Sequence, residues 1–351
     1  MLPEPFVEYV RGTLVESIHY GAAAVVDADG RLVQLAGDPD LVSYYRSASK
    51  PIQTVPLVES GAADRFGFTP AEIALVCGSH GGEPIHVAAA ASMLRKIGLG
   101  PEWLACGVHP PYDRTAAKAL VATGASPTAI HNNCSGKHAG MLALCVFHGW
   151  DPHGYETAGH PVQQLMLQTV ADFCALDPND IATGTDGCSV VTFGVSMAQM
   201  AASFARLAQP PAEWAAARRA ACVRITAAMT AHPEMVAAQQ ERLDTDLMRA
   251  FAGRLIAKAG AEGVYCMATL PHDGAPALGL ALKLLDGDEG GRARNPAVMG
   301  LLEQAGLLDD RLRAALAGYV ERPILNRAGL NVGTVRSVLR LRRRDPGRHV
   351  A

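Results

Sequence analysis

The stretch "VYCMATLPHDGAPALGLALKLLDGD" (264–288) decides the fold class, because the hydrophobic pattern changes there from a helical period to that of strands. Apolar runs at 264–270 and 277–285 flank a turn rich in glycine and proline, which predicts two strands joined by that turn. A last strand is predicted near 332–341. The C-terminal part of the chain therefore returns to a sheet.

The N-terminal part also carries strand signals. Residues 11–36 alternate short β-like runs with turns, and Asp29-Gly30 predicts a hairpin between them. Between the two ends, apolar residues recur with helical spacing at 51–62, 84–97, 137–148, 160–174, 212–230 and 244–259, and a further helical stretch follows at 296–317.

This order predicts an α/β fold with a mainly antiparallel sheet, built from both chain ends, flanked by helices and carrying an inserted helical lobe. We expect one unit over residues 1–351. Its sheet lobe comprises about 8–75 plus 255–345, and its helical lobe about 76–254.

Composition narrows the class of protein. A chain of 351 residues, 49% of them hydrophobic, can bury a large core. Its net charge of −3 creates no field that would attract a polyanion, so we expect no nucleic-acid partner.

No segment approaches the roughly 18 uninterrupted apolar residues of a membrane span, so no membrane partner is expected. The N-terminus lacks a secretory pattern and the eight cysteines are scattered, which predicts a reduced, cytoplasmic location.

The segment "RSASKP" (46–51) places Ser47 and Lys50 one helical turn apart. Burial can depress the pKa of a lysine until its neutral amine accepts the proton of a serine hydroxyl. In the alternative interpretation Ser47 or Ser49 is a helix cap and Lys50 is a surface charge, and so short a motif does not decide between them. Pro51 suits both, because proline is tolerated in the first turn of a helix.

Three glycine-rich loops carry further polar groups. They are "LVCGSHGGEP" (75–84) with Ser79, "HNNCSGKHAGM" (131–141) with Cys134, Lys137 and His138, and "ATGTDGCSV" (182–190) with Asp186 and Cys188. The first is predicted to be a strand that ends at a turn, where a serine can act as a nucleophile or lie beside an oxyanion hole. A plain tight turn explains the glycines almost as well.

The two loop cysteines, with the lysine, histidine and aspartate near them, could bind a zinc ion. Their spacing matches no zinc finger or ribbon, and three protein ligands plus a water would be a catalytic arrangement. Two buried thiols near an active site are an equally good explanation. A lysine ligand would also have to lose its proton before it could bind.

Nine stretches of the chain, taken in order, resemble the Rhizobium etli type of L-asparaginase, also called the thermolabile asparaginase II family. They are "RGTLVESIHYGAAAVVDADG", "RSASKPIQ", "CGSHGGEPIHV", "HNNCSGKHAGML", "HPVQQ", "TGTDGCSV", "HPEMVAAQQERLDTDLM", "KAGAEGVY" and "LALKLLDGDEGGRARNP". The resemblance runs from about residue 8 to about residue 340. It implies a fold like that of serine β-lactamases and glutaminases, a homodimer, and hydrolysis of L-asparagine to L-aspartate and ammonia.

The resemblance also implies the site residues. It assigns two catalytic pairs, Ser47 with Lys50 and Ser79 with Lys258, and a zinc-binding trio of Cys134, Lys137 and Cys188 with Asp186 alongside. Either serine could be the nucleophile. The preferred hypothesis is that Ser47 attacks while Lys50 takes its proton, that Ser79 and Lys258 relay the proton to the leaving nitrogen, and that backbone amides at the start of the Ser47 helix bind the oxyanion.

An amino-acid substrate needs a cation for its α-carboxylate and an acceptor for its ammonium group. Arg46 and His138 lie beside the motifs and could bind the carboxylate. Asp186 or Glu83 could bind the ammonium group.

The charged residues of "ERLDTD" (241–246), which are Arg242, Asp244 and Asp246, could take part in substrate recognition, but interlocked surface or interface charges are the slightly favoured interpretation.

Two other classes of protein remain open. A β-lactamase or penicillin-binding enzyme would also combine Ser-x-x-Lys with a later lysine before glycine, although the missing export signal argues against it. A non-catalytic module that binds asparagine is the second alternative, and the presence of every reactive side chain argues against that one.

Overall fold

The computed structural model describes residues 2–289 and 291–344. The strands are β1 (Glu4–Arg11), β2 (Leu14–Asp27), β3 (Leu32–Ala36), β4 (Val42–Tyr44), β5 (Ala182–Thr185), β6 (Val191–Ser196), β7 (Leu255–Ala259), β8 (Val264–Thr269), β9 (Leu278–Leu284), β10 (Glu321–Leu325), β11 (Asn331–Ser337) and β12 (Arg342–Arg343). The predicted lobe boundary at residue 345 and both ends of the predicted unit, residues 1 and 351, lie outside the described residues.

The α-helices are α1 (Lys50–Gln53), α2 (Val55–Glu59), α3 (Ala62–Arg65), α4 (Pro70–Val76), α5 (Pro84–Lys96), α6 (Arg114–Ala122), α7 (Ser135–His148), α8 (Pro161–Cys174), α9 (Met197–Ala208), α10 (Ala216–Ala231), α11 (Pro233–Val236), α12 (Leu243–Ala250), α13 (Arg294–Gln304), α14 (Asp310–Ala315) and α15 (Ala317–Val320). Four short 3₁₀ turns occupy Arg46–Ser49, Pro101–Trp103, Ala129–His131 and Pro178–Asp180.

The large sheet is antiparallel and has the order β10-β11-β1-β2-β9-β8-β7, with β3 paired to β2 and β12 paired to β3. The N-terminal strands β1 and β2 lie side by side in it, between β11 and β9 from the C-terminal part of the chain. The prediction of a mainly antiparallel sheet built from both chain ends and flanked by helices is therefore confirmed. The Asp29-Gly30 hairpin is confirmed as well, because it joins β2 to β3.

One helix packs closely against this sheet. Helix α9 begins with a capping box between Ser196 and Gln199, which satisfies amides of its first turn. It contacts β9 at Gly279, where an added Cβ would lie only 1.9 Å from the carbonyl oxygen of Ala201. Glycine at position 279 therefore lets the helix backbone approach the strand.

Two predicted elements are wrong. The helical stretch 244–259 ends as helix α12 at Ala250, and residues 255–259 form β7, in which all five residues are buried. A strand buried on both faces has no alternation to separate it from a helix. The strand predicted to start at 75 is the end of helix α4, whose Thr69–Glu72 capping box and Pro70 start the helix upstream.

Further elements of the fold were not predicted from the sequence. They include helices α4, α6 and α9, strands β1, β10 and β12, and a second, three-stranded sheet of order β4-β6-β5. Within the described residues, no helix is both long and apolar enough to cross a membrane.

Candidate active site

Burial and a backbone hydrogen bond of Tyr45 fix the start of the segment that precedes Lys50. The Tyr45 side chain is fully buried, and its backbone N–H donates to the carbonyl of Phe193 at 2.8 Å. Arg46 has a left-handed backbone (φ 52°), which is strained for a residue with a side chain. Residues 46–49 then form a 3₁₀ turn rather than the start of an α-helix, and Lys50 opens α1 with its side chain fully buried.

The amine of Lys50 makes three hydrogen bonds in the interior. Its Nζ donates to the carbonyl of Gly78 at 2.7 Å, to Ser79 Oγ at 2.9 Å and to Cys134 Sγ at 3.2 Å. No hydrogen bond among the described residues joins it to Ser47. The structure therefore pairs Lys50 with Ser79, where the sequence predicts a pair with Ser47.

Ser79 lies in the glycine-rich loop after α4, which backbone hydrogen bonds tie to the end of helix α11 and the residue after it. The backbone N–H groups of Ser79 and Gly81 donate to the carbonyls of Val236 and Ala237 at 2.8 and 2.7 Å. Position 78 requires glycine, because a Cβ there would lie 2.6 Å from the carbonyl oxygen of Met235. This pairing positions the Ser79 hydroxyl deep in the molecule, where its residue is only 7% exposed.

Lys258 approaches Ser79 from strand β7. Its Nζ donates to Ser79 Oγ at 3.0 Å and to the carbonyl of Ala259 at 2.6 Å. Burial, with the positive charges of Lys50 and Arg242, lowers the pKa of Lys258 to about 7, although the Asp244 carboxylate opposes that shift. The neutral amine is therefore well populated at neutral pH and can accept a proton.

Asp244 corrects an expectation from the sequence. It is 1% exposed rather than a surface charge, and its Oδ1 accepts the N–H of Ala259 at 2.6 Å. Burial disfavours its charge, but Lys258 and Arg242 hold the pKa of Asp244 below its usual range. Asp244 thus anchors the strand residue next to Lys258 and supplies a buried counter-charge.

Arg242 lies at the same place, immediately before helix α12. Its guanidinium Nη2 donates to the backbone carbonyl of Ser79 at 3.4 Å, and its residue is half-buried. It too belongs to the surroundings of Ser79 and not to a remote surface. Asp246 accepts a hydrogen bond from Tyr319 at 2.6 Å instead.

A second polar group forms where the N-terminus of α7 meets the turn between β5 and β6. Lys137 Nζ donates to Cys188 Sγ at 3.0 Å, and the Cys134 side chain interacts with the same sulfur. That interaction with Cys134, together with the Lys137 ammonium, lowers the pKa of Cys188, while the same interaction raises the pKa of Cys134. All three residues are buried.

These donors suit a zinc ion by their chemistry. Two sulfurs and one amine nitrogen converge, and zinc accepts sulfur and nitrogen ligands. Among the described residues no group of three histidine, cysteine, aspartate or glutamate side chains forms a metal site, so Lys137 would be needed as the third ligand. It would have to release its proton on binding.

The candidate substrate-binding residues divide into paired and buried groups. Arg46 Nε donates to Asp186 Oδ1 at 2.7 Å, and Arg46 Nη1 lies 3.7 Å from Glu262, so Arg46 already has two carboxylate partners. Burial, and then the charge of Lys137, lowers the pKa of His138 to about 3, so this imidazole is neutral and bonds to Tyr155.

Glu83 is engaged as well. Its carboxylate accepts the backbone N–H of Gln239 at 3.1 Å, and its own backbone N–H donates to His86 Nδ1 at 3.1 Å at the start of helix α5.

A sequence model described as "L-asparaginase II" matches residues 7–337, which is nearly the whole chain. The chain belongs to the L-asparaginase II family. The family resemblance carried by the nine sequence stretches is therefore confirmed. No curated protein matches the sequence significantly.

Solved structures show a distant likeness to this asparaginase II family member. A Bacillus subtilis glutaminase in covalent complex with 5-oxo-L-norleucine is 12% identical, with 80% of this chain and 88% of that chain covered and a TM-score of 0.36. A Bacillus glutaminase in 4.3 M NaCl is 13% identical, with 82% and 91% covered and a TM-score of 0.37. A β-lactamase from Desulfarculus baarsii is 19% identical, with 75% and 82% covered and a TM-score of 0.30.

The predicted residues of this family member thus gather into three groups. Lys50, Ser79 and Lys258 meet in the interior, the two loop cysteines meet Lys137, and Arg46 meets Asp186. Ser47 stands one turn before Lys50, is half-exposed and has no hydrogen bond to either lysine among the described residues.

Asp244 and Arg242 were assigned to the surface by sequence reasoning, yet a signal for Asp244 was present. Leu247, Met248 and Phe251 lie three, four and seven positions after it and form the buried stripe of a helix. Asp244 shares that stripe, which indicates a buried carboxylate.

Proposed function

We propose that the chain hydrolyses L-asparagine to L-aspartate and ammonia through an acyl-enzyme on a serine. Family membership supports an amidohydrolase of this general type. The observation that carries the proposal is the position of Ser79 Oγ between two lysine amines, 2.9 Å from Lys50 and 3.0 Å from Lys258. A hydroxyl so placed can pass a proton from one amine to the other.

An amide carbonyl is a poor electrophile, so its hydrolysis needs an activated hydroxyl and a proton for the leaving amine. In our proposal Ser47 attacks the side-chain amide carbon and gives its proton to Lys50, while Lys50, whose N–H groups donate to three acceptors, passes one of its own protons to Ser79. Ser79 in turn passes a proton to the neutral amine of Lys258. Lys258 gives this proton to the nitrogen, the carbon–nitrogen bond breaks and ammonia leaves. A water then attacks the acyl ester and returns its proton along the same path.

Ser47 suits the attacking role because of its exposure. It is the more accessible of the two serines, whereas the Ser79 hydroxyl is buried and shared between two amines. Hydrogen bonds to a nucleophile are often long or absent until substrate binds, so the missing bond from Ser47 to Lys50 is compatible with this role.

The test measures ammonia release from L-asparagine by the wild type and by Ser47→Ala, Ser79→Ala, Lys50→Met and Lys258→Met, with folding checked by circular dichroism. We expect each variant to lose at least about 10³-fold in kcat, because a nucleophile or its proton carrier is removed. A chromogenic cephalosporin, assayed in parallel, should not be hydrolysed.

Quenching the wild type during turnover and mapping the acyl group by mass spectrometry assigns the nucleophile. We expect it on Ser47. An acyl group on Ser79 would make Ser79 the nucleophile and Lys258 its base, and a fully active Ser47→Ala would contradict the scheme. A wild type that releases no ammonia from asparagine would contradict the proposed function itself.

We propose zinc as an accessory ion held by Cys134, Lys137 and Cys188. When bound, it would supply a Lewis acid that positions the substrate or a water near the serines. The homodimer and the cytoplasmic location remain predictions from the sequence.

A further inference from the structure

Arg242 presents a guanidinium at the serine that bridges the two lysines. Its Nη2 donates to the backbone carbonyl of Ser79 at 3.4 Å, which is a long and weak bond. Its charge also acts on Lys258, on His80 and on Asp244, which surround Ser79. The side chain is thus close to the reacting groups without being tied to them.

Arg242 differs from Arg46 and Arg218 in the contact ion pairs that it makes. Within residues 2–289 and 291–344, no carboxylate oxygen lies within 4 Å of it, whereas Arg46 pairs with Asp186 at 2.7 Å and Arg218 pairs with Asp172 at 2.6 Å. A half-buried guanidinium has lost part of its hydration without gaining a contact ion pair. An anion that binds beside Arg242 would replace the lost hydration with an ion pair. A carboxylate suits this role because its two oxygens fit two parallel N–H groups of a guanidinium.

The backbone before Arg242 is strained. Glu241 has φ 57° in the left-handed region, which is uncommon for a residue with a side chain. Arg242 itself then returns to an extended conformation (φ −125°) as the residue that precedes α12. Such strain is found where surrounding structure holds a functional side chain in place.

The charges on the opposite side of the site leave the carboxylate role to Arg242. The two carboxylates beside Arg46 already neutralise it, and the His138 side chain is buried and bonded to Tyr155.

We propose that Arg242 binds the α-carboxylate of the substrate and so restricts the enzyme to side-chain amides of free amino acids. This inference rests on the proposed function, because it assigns a specificity residue to the same site. Amides that lack the α-carboxylate would gain nothing from Arg242.

The experiment compares L-asparagine with 3-aminopropanamide, which is asparagine without its α-carboxylate. At pH 8, where Lys258 is mostly neutral, we expect Arg242→Met to lower kcat/KM for asparagine about 10- to 100-fold, mainly through KM, since one charge-assisted interaction is lost. Activity on 3-aminopropanamide should change less than about twofold. Arg242→Lys should recover part of the loss.

Arg249→Met is the matched control. Arg249 lies on helix α12, which Arg242 immediately precedes, is exposed and bonds to the carbonyl of Gln239, so this change should leave both activities unaltered. Calorimetric titration with L-aspartate gives a readout that needs no turnover, and we expect its Kd to rise by the same factor in Arg242→Met.

Unchanged aspartate binding in Arg242→Met, or an equal loss on both amides, would overturn the inference. A wild type that binds aspartate but releases no ammonia would instead contradict the proposed function. The Kd of aspartate in the wild type and in Arg242→Met would then still test whether Arg242 binds the carboxylate.

Discussion

Lys258 shows how burial turns an ordinary lysine into a proton acceptor at neutral pH. It is fully buried, and burial with the charges of Lys50 and Arg242 lowers its pKa to about 7. Asp244 on helix α12 opposes this shift, as does a smaller interaction with Cys134. The amine is therefore protonated below about pH 7 and neutral above it.

We accordingly expect kcat/KM for asparagine to rise with pH and to level off above a midpoint near 7. Below the midpoint the rate should fall about tenfold per pH unit, because only the neutral amine accepts a proton. Asp244→Asn keeps a carbonyl oxygen for the Ala259 amide but removes the charge that raises the pKa of Lys258. Its midpoint should therefore move to lower pH, as a pH–rate profile would show.

Asp246→Asn is the control for this prediction, since Asp246 lies on the same helix but bonds to Tyr319. Its profile should match that of the wild type. A midpoint that stays in place or rises in Asp244→Asn would show that Asp244 does not set the pKa of Lys258.

The pairing of Lys50 shows what could not be predicted about single residues. The types of reactive group could be read from the loops, but the spacing of Ser47 and Lys50 predicted a pair that the structure does not form. A 3₁₀ turn over residues 46–49 replaces the expected helical turn, and the amine of Lys50 reaches Ser79 instead.

At the scale of elements, the contact between α9 and β9 depends on a residue without a side chain. Gly279→Ala would place a Cβ 1.9 Å from the carbonyl oxygen of Ala201, and backbone cannot move aside as a flexible side chain can. We expect this change to lower the free energy of unfolding by about 1–3 kcal/mol, as overpacking does in other cores. Chemical denaturation would measure it.

Gly159→Ala is the matched control, because an added Cβ there has no atom within 4 Å and the backbone is not left-handed. Its unfolding free energy should stay within about 0.5 kcal/mol of the wild type. Equal stability of Gly279→Ala and the wild type would show that α9 shifts without cost.

The elements could be predicted where the period was clear. The Asp29-Gly30 hairpin and the strands of 264–288 followed from alternation and turn chemistry. Strand β7 was lost inside a predicted helix because all of its residues are buried, so its pattern has no polar face. Yet β7 carries Lys258.

At the scale of the whole molecule, the proposed zinc ion would join parts of the chain that are far apart in sequence. Cys134 and Lys137 belong to the start of α7, and Cys188 to the turn between β5 and β6. A ligand that binds only the folded chain stabilises it, by about 2.7 kcal/mol at a hundredfold excess over its Kd.

We expect zinc to raise the melting temperature of the wild type and to copurify at one ion per chain in elemental analysis. Cys188→Ser should lose both effects, and Cys222→Ala, a buried cysteine on α10, should keep both. An equal rise in all three proteins would mean that zinc binds elsewhere.

The amino-acid sequence by itself determined the order of sheet, helices and sheet, the family, and the loops that carry serine, lysine and cysteine, because period, turn residues and motifs are local properties. Only the tertiary structure decided that Ser79 bridges two lysines, that Asp244 and Arg242 stand beside them, and that burial lowers the pKa of Lys258 to about 7. Lys50 and Lys258 reach Ser79 across 29 and 179 residues of chain. Such distances, and a pKa set by burial and by neighbouring charges, exist only once the chain has folded.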